Sequence, residues 1–166
     1  MKNQDQRKAH SMLEEGDKAP DIKLVTDDGK SVPLASYKGH PVVVYFYPKD
    51  DTPGCTTEAK DFSCLVADFE KAGADVIGIS PDSAKSHAKF RLKHDLAVKL
   101  ASDEDKGIAE AFGSWVEKSM YGKKYMGVDR STFLIDKSGK IAKIWRKVKV
   151  AGHAEEVLAA VKSLTK

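Results

Sequence analysis

Cysteine is nearly absent from this chain: 166 residues contain two, Cys55 and Cys64. Two thiols are too few for a disulfide framework, and they do not form the C-x-x-C of an ordinary dithiol exchanger. Long apolar sequence is missing as well. No run approaches the ~18 residues that cross a bilayer. Residues 1–10 lack the apolar core of a secretory signal, so the expected compartment is the cytoplasm, with no membrane partner. Charge of one sign is scarce: 28 Lys and Arg against 25 Asp and Glu leave +3, too little to imply a polyanionic partner. The five histidines show no compact metal-ligand spacing, so no metal is expected. His87 and His94 are placed to share a helix face, and that face reads as solvated. Lys143, Arg146, Lys147 and Lys149 form a basic run. Lys143 and Lys147 alternate with Ile144 and Trp145 as on a half-buried strand, so this too reads as a solvated face. A nucleic-acid surface would want a broader patch with stacking aromatics. Repeats, low-complexity stretches and linkers are absent. The length suits one domain, which can bury roughly two-thirds of its unfolded surface.

What is present centres on one stretch. Val42-Val43-Val44-Tyr45-Phe46-Tyr47 is an apolar run cut off by Pro48, the pattern of a buried strand. Asp50, Asp51, Thr52, Pro53 and Gly54 are turn formers. A helical pattern opens at Thr56, with Phe62, Leu65, Val66 and Phe69 on one face. Cys55 therefore sits where a strand hands over to the first turn of a helix. First-turn N–H groups have no carbonyl partner within the helix and carry partial positive charge, which favours a thiolate and can hold a polarised oxygen. The alternative at this point is an inert thiol behaving as a small hydrophobe.

Pro48-Lys49-Asp50-Asp51-Thr52-Pro53-Gly54-Cys55 contains Pro-x-x-x-Thr-x-x-Cys and closely resembles the active-site signature of peroxiredoxins. The fuller string from Tyr45 to Ala59 is similar to that of the peroxiredoxin Q subfamily, the bacterioferritin comigratory proteins. Gly16-Asp17-Lys18-Ala19-Pro20-Asp21, Ile79-Ser80-Pro81-Asp82-Ser83, Arg130-Ser131-Thr132-Phe133-Leu134-Ile135-Asp136 and Gly152-His153-Ala154 resemble the same family in order and spacing. The likeness covers about residues 13 to 165.

The resemblance implies a thioredoxin-like α/β fold with a central mixed sheet flanked by helices. It implies thiol-dependent reduction of hydrogen peroxide and alkyl hydroperoxides, an antioxidant role, without metal, haem, flavin or nucleotide. Cys55 would attack as thiolate and become sulfenic acid, to be restored by thioredoxin, glutaredoxin or a small thiol. Thr52 Oγ would hydrogen-bond the peroxide and the sulfur, and Arg130 would favour the thiolate and orient the peroxide. Pro48 would cover one side of the sulfur. Glu58 lies in the first helical turn, where complementing the helix dipole is enough to explain it; a supporting hydrogen bond near Arg130 is the alternative. Trp115, Tyr45 and Phe46 are expected as core or pocket wall. Thioredoxins place a cis-proline before the strand that here follows Asp129-Arg130, and none stands there, which favours a peroxidase over a disulfide exchanger. A redox sensor that oxidises once is the other alternative. A monomer is the family expectation.

The chain departs from its relatives in its second thiol. The position five residues after the nucleophile is Lys60, and the helix expected over 83–94 has no cysteine. Cys64 lies nine residues from Cys55, which on an intact helix is about 900° of rotation and ~13–14 Å of rise. A disulfide needs Cα atoms within ~7 Å. The reading is a one-cysteine mechanism with Cys64 a partly exposed bystander. Its alternative is a Cys55–Cys64 disulfide formed by unwinding the helix.

Along the rest of the chain, residues 1–12 read as a mobile tail and 13–166 as the domain. Strands are expected at 21–25 and 31–34 about the turn Asp27-Asp28-Gly29-Lys30, with a brief turn at 36–39 before the central strand at 41–47. The helix after Cys55 should reach about Lys71 and end at Gly73. A strand at 74–80 precedes a helix at 83–94 with Ser83 as N-cap. A strand follows at 99–102, then a short helix at 104–112. Residues 115–127 read as loop, 131–136 and 140–147 as a hairpin, and 153–164 as the closing helix.

Overall fold

The valine-rich run forms a strand buried along its whole length, β3 (Val42–Phe46), because both of its faces are covered. Val43, Tyr45 and Tyr47 enter one core and Val42, Val44 and Phe46 another, so neither face calls for a polar residue. The computed structural model describes residues 13–164; the tail expected over 1–12 lies outside them.

Around β3 stand β1 (Lys23–Thr26), β2 (Ser31–Pro33), β4 (Asp75–Ser80), β5 (Lys99–Ser102), β8 (Ser131–Ile135) and β9 (Ile141–Trp145). They make one seven-stranded sheet in the order β2-β1-β5-β4-β3-β8-β9. β3, β4 and β5 run parallel, while β8 returns antiparallel beside β3. The sheet is therefore mixed, in a thioredoxin-like α/β arrangement. One face is covered by α1 (Pro53–Cys64), α2 (Val66–Lys71), α3 (Ala84–His94) and α5 (His153–Leu164), through Phe62, Phe69, Phe90 and Val157. The other is covered by α4 (Gly107–Ala111) through Ile108, with Phe112 just after it.

Several expectations change. The helix after Cys55 begins at Pro53, whose fixed φ suits a first helical position, and it breaks at Leu65 (φ −101°, ψ 2°) before α2 resumes. The short helix is trimmed to Gly107–Ala111, and the turn before β3 is a 3₁₀ turn at Leu34–Tyr37.

The stretch read as loop is a second sheet, β6 (Trp115–Met120) paired with β7 (Lys123–Val128). Tyr121 and Gly122 both adopt positive φ, 53° and 79°, the two-residue turn whose twist matches a hairpin. Most of β7 is exposed, so the alternation that marks a half-buried strand never appears in its sequence.

His87, expected on a solvated face, is instead fully buried, at 0% exposure. It lies three residues before buried Phe90, on the inward side of α3. Arg146 also leaves the solvated face. It donates to the carbonyls of Gly113 and Phe112 and stands over the Phe133 ring.

Candidate active site

Register places the first two parts of the site. Phe46 pairs with Ser131 across β3 and β8, so Arg130 stands level with Tyr47, beyond the end of β3. The chain leaving β3 turns through Asp51, at φ 60°, and enters α1 with Thr52 as its N-cap. Cys55 thus lies in the first turn of α1 with its side chain facing inward, and the residue is 1% exposed.

Arg130 joins the parts. Its Nη2 donates to Cys55 Sγ at 3.2 Å, and its Nη1 donates to Glu58 Oε1 at 2.6 Å. The guanidinium fork thus serves the sulfur and the carboxyl through two separate N–H groups at once. Glu58 is 1% exposed and one turn beyond Cys55 on the same helix. Burial pushes its carboxyl up to about 7, against the opposing pull of Arg130. Burial also works against the charge of Arg130, yet Glu58 and Cys55 outweigh it and raise that group's pKa.

Gly54 explains how the guanidinium gets so close. A Cβ there would lie 3.3 Å from Arg130 Nη2, so the bare backbone of the first helical turn is the seat of the arginine. Tyr45 shares the core cluster of Cys55 and is stacked on Phe62 with ring centroids 4.6 Å apart. Among the described residues its buried hydroxyl has no hydrogen-bond partner, and neither has Glu58 Oε2.

The remaining sequence candidates fall as follows. Thr52 Oγ1 donates to Lys49 O at 2.8 Å. Its proton is committed there, so toward the pocket the hydroxyl offers lone pairs. Pro48 is exposed at the end of β3. Cys64 ends the same unbroken helix that Cys55 opens, and it is exposed where Cys55 is buried. Trp115 is half-buried against the core below the hairpin, and Phe46 is part of that core.

Sequence reasoning misses three contributors. Gly54 and Asp50 read there as turn formers alone. His87 reads as exposed, although its spacing of three from Phe90 is the available signal of an inward face.

The AhpC/TSA family model matches residues 15–144. Peroxiredoxin Bcp of Bacillus subtilis is 51% identical over 153 residues, covering 92% of this chain and 98% of that protein. Among solved structures, peroxiredoxin Q of Xanthomonas campestris superimposes with a TM-score of 0.86 at 48% identity, covering 95% of this chain and 99% of that one. A structure of the Xanthomonas campestris bacterioferritin comigratory protein, described for its alkyl peroxide reduction activity, gives a TM-score of 0.86 at 47% identity, over 94% and 99%. The chain belongs to the AhpC/TSA family and is a peroxiredoxin of the Bcp, or peroxiredoxin Q, type: a thiol-dependent peroxidase on a thioredoxin-like fold.

Proposed function

We propose that Cys55 is the nucleophile of this peroxidase, that its substrates are hydrogen peroxide and alkyl hydroperoxides, and that the reaction proceeds through one cysteine. The Cys55 thiolate attacks the terminal oxygen, the O–O bond breaks, and the departing alkoxide or hydroxide takes a proton to leave as alcohol or water. Sulfur is oxidised to sulfenic acid. A thiol reductant then condenses with it, releasing water and forming a mixed disulfide, and a second thiol frees Cys55. Arg130 stabilises the thiolate and orients the peroxide. The backbone N–H of Cys55 is a further donor in the first turn, where it has no helical partner. Thr52 accepts the hydrogen of the peroxide, and Pro48 limits access from the strand side. Glu58 holds Arg130.

The observation that carries this reading is the single guanidinium shared by Cys55 and Glu58, at 3.2 and 2.6 Å. Alkyl peroxide reduction by the Xanthomonas campestris relative supports the same substrate class here. Thioredoxin, glutaredoxin or a small thiol serves as reductant. Residues 13–166 act as one domain, as a monomer in the cytoplasm. No helix among the described residues is long and apolar enough to cross a membrane.

The test is peroxide-dependent oxidation of thioredoxin by wild type and Cys55→Ser. Wild type is expected to turn over and Cys55→Ser to be inactive. Full activity in the variant would sink the assignment.

A further inference from the structure

The loop that carries Thr52 toward Cys55 is tied to α3 at two points, and the inner tie is buried. The Asp50 carboxylate, in a residue 7% exposed, accepts from Tyr47 OH at 2.6 Å and from Ser86 Oγ at 2.8 Å. His87 Nδ1 stands 2.8 Å from Asp50 Oδ2 and 3.1 Å from Oδ1. The Asp50 backbone N–H donates to Asp82 Oδ2 at 2.7 Å. The outer tie is exposed: Lys93 Nζ and His94 Nε2 reach the Asp51 carboxylate at 2.6 and 2.7 Å. α3 thus grips two successive aspartates of one loop, from both of its ends.

The His87 ring spans the inner tie. His87 Nε2 lies 2.9 Å from Ala101 O. A carbonyl only accepts, so Nε2 carries a proton. On its other side the ring meets the Asp50 carboxyl through Nδ1. Tyr47 OH is 3.3 Å from Nδ1 but gives its proton to Asp50. Every polar atom of the pair is satisfied in a site closed to solvent, which makes the contact costly to break.

This pair touches neither Cys55 nor Arg130, yet it fixes the loop leading to both. We infer that Asp50 and His87 form a latch that holds the Cys55 corner closed, making His87 a positioning residue for the reaction with peroxide. The inference rests on Cys55 being the nucleophile. At 1% exposure, Cys55 is out of reach of a protein thiol, so the corner must open after oxidation for a reductant to attack the sulfenic sulfur. A latch that favours the closed corner speeds the first half-reaction and restrains the second.

The experiment measures both half-reactions separately by rapid mixing, in wild type, His87→Asn and His87→Gln. The Asn amide can stand in for Nδ1 and keep the bond to Asp50; the Gln amide can stand in for Nε2 and keep only the bond to Ala101. Misplacing a reacting group by about 1 Å can cost about a hundredfold, so His87→Gln is expected to oxidise at least about tenfold more slowly. Reduction of its sulfenic acid by thioredoxin should be as fast as in wild type or faster. His87→Asn should stay within about threefold of wild type in both steps. If either His87 variant fails to fold, Ser86→Ala, which removes one donor from the same Asp50 carboxylate, is expected to show the same opposed changes in smaller degree. Parallel losses in both half-reactions, equal behaviour of Asn and Gln, or unchanged rates in His87→Gln and Ser86→Ala would overturn the latch. A wild type whose Cys55 does not react with peroxide would instead remove the functional reading beneath it.

Discussion

At the scale of single residues, the site depends on one guanidinium shared by a thiol sulfur and a carboxyl group. Removing the Arg130 guanidinium leaves a buried sulfur and a buried carboxylate without their shared donor, and transition-state donors of this kind are worth about 10²–10³ in rate. Arg130→Ala is expected to slow pre-steady-state oxidation by that order, and Thr52→Val by less, because the Thr52 proton is already given to Lys49 O. Losses below about threefold in both would show that the pocket works otherwise. Glu58 makes a second, pH-dependent prediction. Burial raises its folded-state value from the ordinary 4.5 to about 7. Between those values the folded chain keeps a proton that the unfolded chain has released, so this group lowers stability as pH rises across that window. Glu58→Gln cannot titrate. Its unfolding free energy relative to wild type should therefore climb from pH 4.5 to 7, by on the order of 3 kcal/mol at most, and a difference independent of pH would contradict the assignment.

At the scale of elements, what could be read from sequence depended on whether a local signal coincided with a buried face. β3 was legible because an uninterrupted apolar run has one use in a sheet covered on both sides. The span of α5 and the N-cap of α3 were legible from an apolar stripe and a serine at the right place, and Ser83 Oγ does accept from Ser86 N at 3.1 Å. Ser83→Ala should cost about 1 kcal/mol in chemical denaturation, and an unchanged midpoint would count against the cap. The β6–β7 hairpin was illegible because its strands leave much of both faces in solvent, and its turn places Tyr121 rather than asparagine at positive φ. The break at Leu65 was hidden because Phe62 and Phe69 keep helical phase across it. The candidate site was legible as a motif, but its internal wiring was not. Asp50 and His87 are 37 residues apart, and only the placement of α3 over the end of β3 makes them neighbours.

At the scale of the whole molecule, the sheet sets the chemistry by register. The antiparallel return of β8 beside β3 brings Arg130 to the strand end where α1 begins, and the cores on the two faces hold that meeting point fixed. The same architecture separates the two thiols. Cys55 faces inward at the start of α1 and Cys64 faces solvent at its end, so a disulfide between them would require the helix to unwind. In the one-cysteine mechanism proposed above, Cys55 holds the oxidised state alone until an outside thiol arrives. The most direct test is peptide mass spectrometry of the protein treated with one equivalent of hydrogen peroxide and a sulfenic-acid trap. A trapped adduct on Cys55, with Cys64 a free thiol, is the expected result. An adduct confined to Cys64, or a stoichiometric Cys55–Cys64 disulfide, would contradict it.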